Sequence, residues 1–211
     1  MISFGIDELI IQNPAWKSKR IGLVTNDAAT TNTGILSRTA LVQAGFTIVC
    51  LFTPEHGISA KAPDGEAQQN SMDTITGLPI ISLYGNKCMP TAQDLENIDL
   101  LLFDIPDIGA RFYTYLWTLT YVLEACAINK KKCIVLDRPN PVSGNFDAAE
   151  GPFLEESSSS FIGRWNIPIK HSATLGELAL YFNSTKNIGA SLTVVPVKNW
   201  DRDDLATNWG T

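Results

Sequence analysis

Histidine is scarce. The chain has two histidines in 211 residues, too few for a His-rich metal centre. Its four cysteines, Cys50, Cys88, Cys126 and Cys133, show no CxxC spacing. Three of them lie in or beside apolar runs, so they read as reduced core thiols rather than zinc ligands or a disulfide framework. Basic runs are also missing: none exceeds Lys130, Lys131 and Lys132, and the net charge is -6 with a pI near 4.9. That argues against nucleic acid as a partner. No apolar run approaches the roughly 20 residues of a membrane span. The N-terminus, MISFGIDELI, lacks a basic region followed by a long apolar stretch. No signal peptide is therefore visible, and the sequence as written is expected in the cytoplasm. GxGxxG, P-loop and GxSxG patterns are absent, so no nucleotide cofactor or serine nucleophile has motif support. No metal or other cofactor is expected.

What is present is a core-forming chain, 45% hydrophobic and 18% charged. Its centre is Asp99 to Tyr121, DLLLFDIPDIGARFYTYLWTLTY. Leu100 to Phe103 is an unbroken apolar run, as expected of a parallel strand buried on both faces. Asp104 ends the run, Pro106 and Gly109 break the backbone, and Asp107 and Arg111 sit in the break. A dense aromatic helix follows from Tyr113. In open α/β sheets ligands bind at the carboxyl ends of the strands, so this break is a candidate site. The plainer reading makes Asp104 a turn cap and pairs Asp107 with Arg111 on the surface.

The same grammar recurs along the chain. Strands are predicted at 20–25, 46–52, 79–83, 133–136 and 191–197, and helices at 6–12, 34–44, 90–97 and 174–183. Thr174 with Glu177 forms a capping box, and Thr91 is a further N-cap. Two irregular regions, 58–77 and 142–163, interrupt the pattern. Alternating strands and helices predict an α/β, Rossmann-like fold with a mostly parallel sheet and helices on both faces. Residues 1–211 are expected to form one such domain.

Four predicted strands end in polar residues: Asn26, Glu55 with His56, Asp104 with Asp107, and Asp137 with Arg138. If the strands are parallel, these ends share one sheet edge, and their side chains offer carboxylates, guanidiniums and an imidazole. That set suits acid–base or carboxylate chemistry of the kind glycosidases use. Turn residues that merely satisfy the local backbone are the competing reading for Glu55 and His56. His171 is remote in sequence and is set aside as a candidate surface residue.

A series of ordered motifs carries a resemblance. FTPEHG (52–57), DIPDIGARFYTYLWTL (104–119), LDRPNP (136–141) with Gly144, EGP (150–152), TLGELA (174–179), LVTN (23–26) and SLYG (82–85) resemble the bacterial exo-β-N-acetylmuramidase family, formerly a domain of unknown function. The resemblance spans nearly the whole chain. It implies a glycoside hydrolase that releases N-acetylmuramic acid from the non-reducing ends of peptidoglycan fragments. It also implies a Rossmann-like domain followed by a smaller C-terminal domain, with the active site in the cleft between them. On this resemblance the family's C-terminal domain is expected to be absent from residues 1–211. Family members are often secreted or periplasmic. This chain departs from the family at Pro106, where Gln is usual, and at His171-Ser172-Ala173, where His-Gly-Met is usual.

Under the resemblance, Glu55 is the leading catalytic acid, oriented by His56. Asp104 and Asp107 both remain open as the second carboxylate, and the acetamido group of the substrate is an alternative nucleophile. Arg111 and Arg138 are the candidates to pair with the lactyl carboxylate of muramic acid. Asn26, Tyr113, Tyr115, Asp137 and Asn140 complete the expected substrate-binding set, although helix tyrosines more often pack in cores. The alternative is a truncated, non-catalytic homologue that binds a muropeptide or a partner. A missing domain is expected to leave apolar surface beside the strand ends, which a homodimer would cover.

Overall fold

A computed structural model describes residues 1–61, 63 and 69–208. Its centre is a seven-stranded sheet in the order β3-β4-β2-β1-β5-β6-β7. The strands are β1 (Ile21–Val24), β2 (Ile48–Thr53), β3 (Ser71–Met72), β4 (Pro79–Ser82), β5 (Leu100–Phe103), β6 (Lys132–Leu136) and β7 (Ser191–Val195). The helices are α1 (Gly5–Gln12), α2 (Ser37–Gln43), α3 (Ala92–Leu95), α4 (Thr114–Ile128) and α5 (Leu175–Thr185). All pairings are parallel except that of β3 with β4. This is the mostly parallel, Rossmann-like α/β fold that the sequence predicts.

The apolar runs explain the layering. Side chains alternate across a strand. In β1, β5 and β6 one set, Val24, Leu101, Phe103, Cys133 and Val135, packs into a core with α4 and α5. The other set, Ile21, Leu23, Leu100, Leu102, Ile134 and Leu136, packs on the opposite face with α1 and α2. A strand covered on both sides needs apolar residues at every position, which is why these runs show no polar alternation. Gly22 is the exception in β1. A methyl group there would come within 2.8 Å of the Phe52 ring and 2.9 Å of Ile98. Cys50, Cys126 and Cys133 are buried free thiols, and burial pushes the Cys50 thiol up to about 12.

Some boundaries differ from the sequence reading. The predicted helix at 34–44 starts only at Ser37, because Gly34 is left-handed (φ 82°) and the Ile35 N–H donates to the Thr31 hydroxyl, closing a turn instead. Within 58–77, read as irregular, Ser71–Met72 forms the antiparallel edge strand β3. Residues 62 and 64–68 of that region lie outside the described residues. Arg38, almost wholly buried, anchors its far end through Asp73, 2.9 Å from Nε, and reaches Asp27 at 2.7 Å. No helix among the described residues is long and apolar enough to cross a membrane.

Strand order reverses direction at β1: the chain first builds outward to β2 and β4, then returns to add β5 on the other side. The switch point therefore lies between the carboxyl ends of β1 and β5, where an open α/β sheet leaves its crevice.

Candidate active site

Parallel pairing sends the segments after β1, β2, β5 and β6 out at one edge of the sheet. Asn26, Glu55, Asp104, Asp107, Asp137, Arg138 and Asn140 all occupy these segments, and all are buried. Their partners separate them into two groups.

The first group is engaged within the protein. Asp104 has no exposed surface. Its two oxygens accept from Arg138, Oδ1 from Nε at 2.7 Å and Oδ2 from Nη2 at 3.1 Å. Nη2 also donates to the Thr30 carbonyl at 2.7 Å, and the guanidinium lies 5.0 Å from the centre of the Phe4 ring. Asp137 accepts from the Thr174 hydroxyl at 2.7 Å, from the Gly176 N–H at 2.8 Å and from the Arg138 N–H at 3.0 Å. It thus sits under the first turn of α5. Burial pushes its carboxyl up to about 6, against the lowering effect of those hydrogen bonds. Asn140 donates to the Ala173 carbonyl at 2.9 Å and accepts from the Val142 N–H at 3.1 Å.

The second group keeps polar atoms in hand. Asp107 Oδ2 accepts from the Gly109 N–H at 3.1 Å and lies 3.0 Å from His171 Nε2, whereas its Oδ1 is buried with no partner among the described residues. The imidazole contact is close but out of alignment for a full hydrogen bond, so Nε2 also counts as unsatisfied. Asn26 accepts from the Ala28 N–H at 3.1 Å, and its side chain also meets the Tyr115 hydroxyl, although its buried Nδ2 has no strictly aligned partner among the described residues. Glu55 is buried, and its carbonyl accepts from the Tyr115 hydroxyl at 3.4 Å. His56 takes a left-handed backbone (φ 69°), a conformation that costs a non-glycine residue energy.

Tyr113 and Tyr115 join the strand ends. Their rings are 4.6 Å apart, and Tyr115 is buried while Tyr113 is partly exposed. Burial raises both phenols. The Asp107 charge adds to the rise for Tyr113, and the Glu55 charge does so for Tyr115. Each ring therefore lies within electrostatic reach of one of the two carboxylates. Arg111 pairs with neither Asp107 nor Asp104 among the described residues. Its Nη1 donates to two backbone carbonyls, Pro152 at 2.7 Å and Ile167 at 2.6 Å. Carbonyls bind a guanidinium without neutralising it, so Arg111 keeps its charge near the edge where Arg138 has given its charge to Asp104.

The sequence reading missed His171. It is 4% exposed, buried rather than superficial, and Ala110 and Glu150 each form a bridge with its neighbour Lys170. That stitching carries the imidazole back to Asp107 across 64 positions. The sequence signals were its place three residues ahead of the Thr174 capping box and its place in the His171-Ser172-Ala173 run that resembles the family's His-Gly-Met. Among the described residues no group of three or more His, Cys, Asp or Glu side chains is arranged to hold a metal ion.

Residues 21–211 match the family model for the exo-β-N-acetylmuramidase NamZ, N-terminal. The chain is 44% identical over 204 residues to the peptidoglycan β-N-acetylmuramidase NamZ of Bacillus subtilis (strain 168), covering 95% of this chain and 49% of that protein. Two crystal structures of DUF1343 family proteins from Bacteroides fragilis NCTC 9343 are similar. One superposes with a TM-score of 0.88 at 38% identity, covering 99% of this chain and 53% of that one. The other has a TM-score of 0.82 at 32% identity, covering 97% and 54%. The chain thus spans about half the length of the relatives it matches. It belongs to the exo-β-N-acetylmuramidase NamZ family, whose N-terminal part it matches.

Proposed function

We propose that this chain carries the acid–base machinery of an exo-acting glycoside hydrolase that releases N-acetylmuramic acid from the non-reducing ends of peptidoglycan fragments. The observation that carries the reading is the partition of carboxylates at the sheet edge. Asp104 and Asp137 are held by donors from the protein, whereas Asp107 keeps one buried oxygen without a partner among the described residues. Of the two acids open as the second carboxylate, Asp107 is therefore the one available to a ligand. Glu55 is the proton donor to the departing sugar, held in a strained turn whose following residue, His56, sets its direction. Arg111 supplies the positive charge that an anionic lactyl group needs beside these carboxylates. The partly exposed Tyr113 lines the approach.

The test is hydrolysis of a chromogenic β-N-acetylmuramide by the purified 211-residue chain and by its Glu55→Gln variant. Turnover by the wild type, with a loss of at least about a hundredfold in the variant, is the expected result. Binding of N-acetylmuramic acid with no turnover by either protein would instead favour a binding module.

A further inference from the structure

The sheet has a second edge. Strands β1, β2, β5, β6 and β7 begin level with one another: Ile48 stands opposite Ile21, Ile21 opposite Leu100, Leu100 opposite Lys132 and Lys132 opposite Ser191. The segments that lead into these starts therefore meet at the amino edge, on the side away from the candidate active site. Lys17, Lys19 and Arg20 precede β1, Lys130 to Lys132 open β6, and Lys186 precedes β7, against two carboxylates, Glu96 and Asp99, before β5. The chain as a whole has the opposite balance, 16 basic side chains against 22 acidic ones. Lys130 and Lys131 sit on a fixed turn. The Lys131 N–H donates to the Cys126 carbonyl at 2.9 Å and the Lys130 N–H to that of Ala127 at 3.3 Å, with Lys130 left-handed (φ 53°). That closing position of a helix favours glycine, so a lysine is held there at a conformational cost. Just before them Ile128, the last residue of α4, is 70% exposed.

A plainer use for such residues is local, because cations complement the C-termini of helices and nearby acids. Three of them are engaged in this way. Arg20 pairs with Asp99 at 2.8 Å, Lys17 reaches the Ala44 carbonyl at 3.3 Å, and Lys131 reaches that of Ile98 at 2.6 Å. Lys186 lies 5.6 Å from the centre of the Trp165 ring. The ammonium groups of Lys19, Lys130 and Lys132 have no partner among the described residues, and all three residues are exposed. We infer that the amino edge is a docking surface for an anionic lipid bilayer, where these lysines meet the headgroups and Ile128 enters the interfacial layer between them. Charge complementarity argues for this occupant. Lysines spread along a level edge, each a separate point charge, match a plane of lipid phosphates. An exposed aliphatic side chain among them adds the apolar burial that interfacial binding also draws on, and a linear polyanion has no use for it. The same lipid repels the carboxylates of the opposite edge, so the bound protein turns its candidate site away from the bilayer. Surface contact of this kind needs no spanning helix, and the inference does not depend on the glycosidase reading.

Vesicles of phosphatidylcholine alone, and of phosphatidylcholine mixed with phosphatidylglycerol, provide the test, with co-sedimentation of the 211-residue chain as the readout. The chain is expected to pellet with the mixed vesicles and to stay in solution with the neutral ones. Raising the salt from about 0.1 M to about 1 M, which shortens the screening length from about 10 Å to about 3 Å, should release it. Each lysine near an anionic surface is worth about fivefold in affinity, so Lys19→Gln, Lys130→Gln and Lys132→Gln together should lose about a hundredfold. Ile128→Ser should lose about tenfold. Lys61→Gln, an exposed position that follows the carboxyl end of β2, controls for net charge and should bind as the wild type does. All these side chains are exposed, so the variants should keep the wild-type melting temperature. No pelleting with the mixed vesicles, or equal pelleting with both kinds, would overturn the inference without any mutation. Wild-type affinity in the triple lysine variant or in Ile128→Ser, or a fivefold loss in Lys61→Gln, would overturn it as well. Binding of soluble polyphosphate with no binding of the mixed vesicles would give the patch to a linear polyanion and would also overturn it.

Discussion

Arg111 and Arg138 look alike in the sequence, each following a buried strand by a few residues, but their partners differ. Arg138 shares two aligned hydrogen bonds with a carboxylate that has no exposed surface. Replacing it with Met keeps the stem but strands Asp104 as a buried, unpaired charge, an outcome that typically costs 3–5 kcal/mol, at roughly that scale here. Urea denaturation should show this loss, and the double variant with Asp104→Asn should recover a good part of it. Among the described residues Arg111 is held by backbone carbonyls, which leave its charge uncompensated. Arg111→Ala is therefore expected to weaken binding of N-acetylmuramic acid by about ten- to a hundredfold, with a far smaller loss for N-acetylglucosamine, which lacks the lactyl carboxylate. Equal losses for both sugars would remove Arg111 as the anion anchor. Ser172 shows what single-residue reading cannot reach. Only the coordinates show that this position is left-handed.

At the scale of elements, α5 is the part of the fold most tightly bound to the edge. Thr174 caps it, with its hydroxyl accepting from the Glu177 N–H and Glu177 returning a bond to the Thr174 N–H. The same hydroxyl donates to Asp137, and Gly176 lets the helix sit so close that a methyl group there would fall 2.6 Å from the Asp137 carboxyl carbon. The capping box was legible because Thr and Glu at that spacing have one dominant use. The carboxylate beneath it was not, because Asp137 arrives from 37 positions away. Its consequence is a pH dependence. The Asp137 carboxyl lies near 6 in the fold against 3.8 for an unperturbed side chain, so the native state holds a proton that the unfolded state has released. Between about pH 4 and 6 that difference makes stability fall as pH rises, by up to about 3 kcal/mol from this group. Asp137→Asn, whatever its absolute stability, should lack this component, so its unfolding free energy should fall less than the wild type's over the same interval.

For the whole molecule, the apolar runs made the sheet readable. Four-residue stretches such as Leu100–Phe103 have few uses other than a strand covered on both faces, and the strand ends then follow. The segment from 146 to 173 resisted because it is held by isolated bridges and short 3-10 turns, which leave no periodic trace. His171 and Ser172 lie in it. The carboxyl edge also carries exposed apolar side chains, with the Arg202 guanidinium over the ring of Phe146. Ile108 and Phe112 follow β5, Val142 and Phe146 follow β6, and Phe153 lies next to Pro152, which Arg111 binds; all are exposed. If the chain covers them by pairing with itself, Phe112→Ser together with Phe153→Ser should abolish concentration-dependent association in sedimentation. Exposed positions carry little of the fold's stability, so the unfolding free energy should change by no more than about 0.5 kcal/mol. A wild type that sediments as a monomer at all concentrations would dismiss the pairing.

The switch between β1 and β5 also sets an order of events during synthesis. Strands β1, β2 and β4 all come from the first 82 residues and can pair while the rest of the chain is still being made. Strand β5 must then return to β1, with Ile21 opposite Leu100, a closure across 79 positions. Asp107 cannot meet His171 until the ribosome has passed residue 171, which at 5–20 residues per second comes roughly 3–14 seconds after β5 is complete. During that interval the long-range pairing on which the site depends is still unmade, and contacts of such high sequence separation form slowly. The newborn protein thus has most of its sheet before Asp107 has its imidazole partner, and a chaperone or protease meeting it in that window would find a nearly folded body with an unfinished edge.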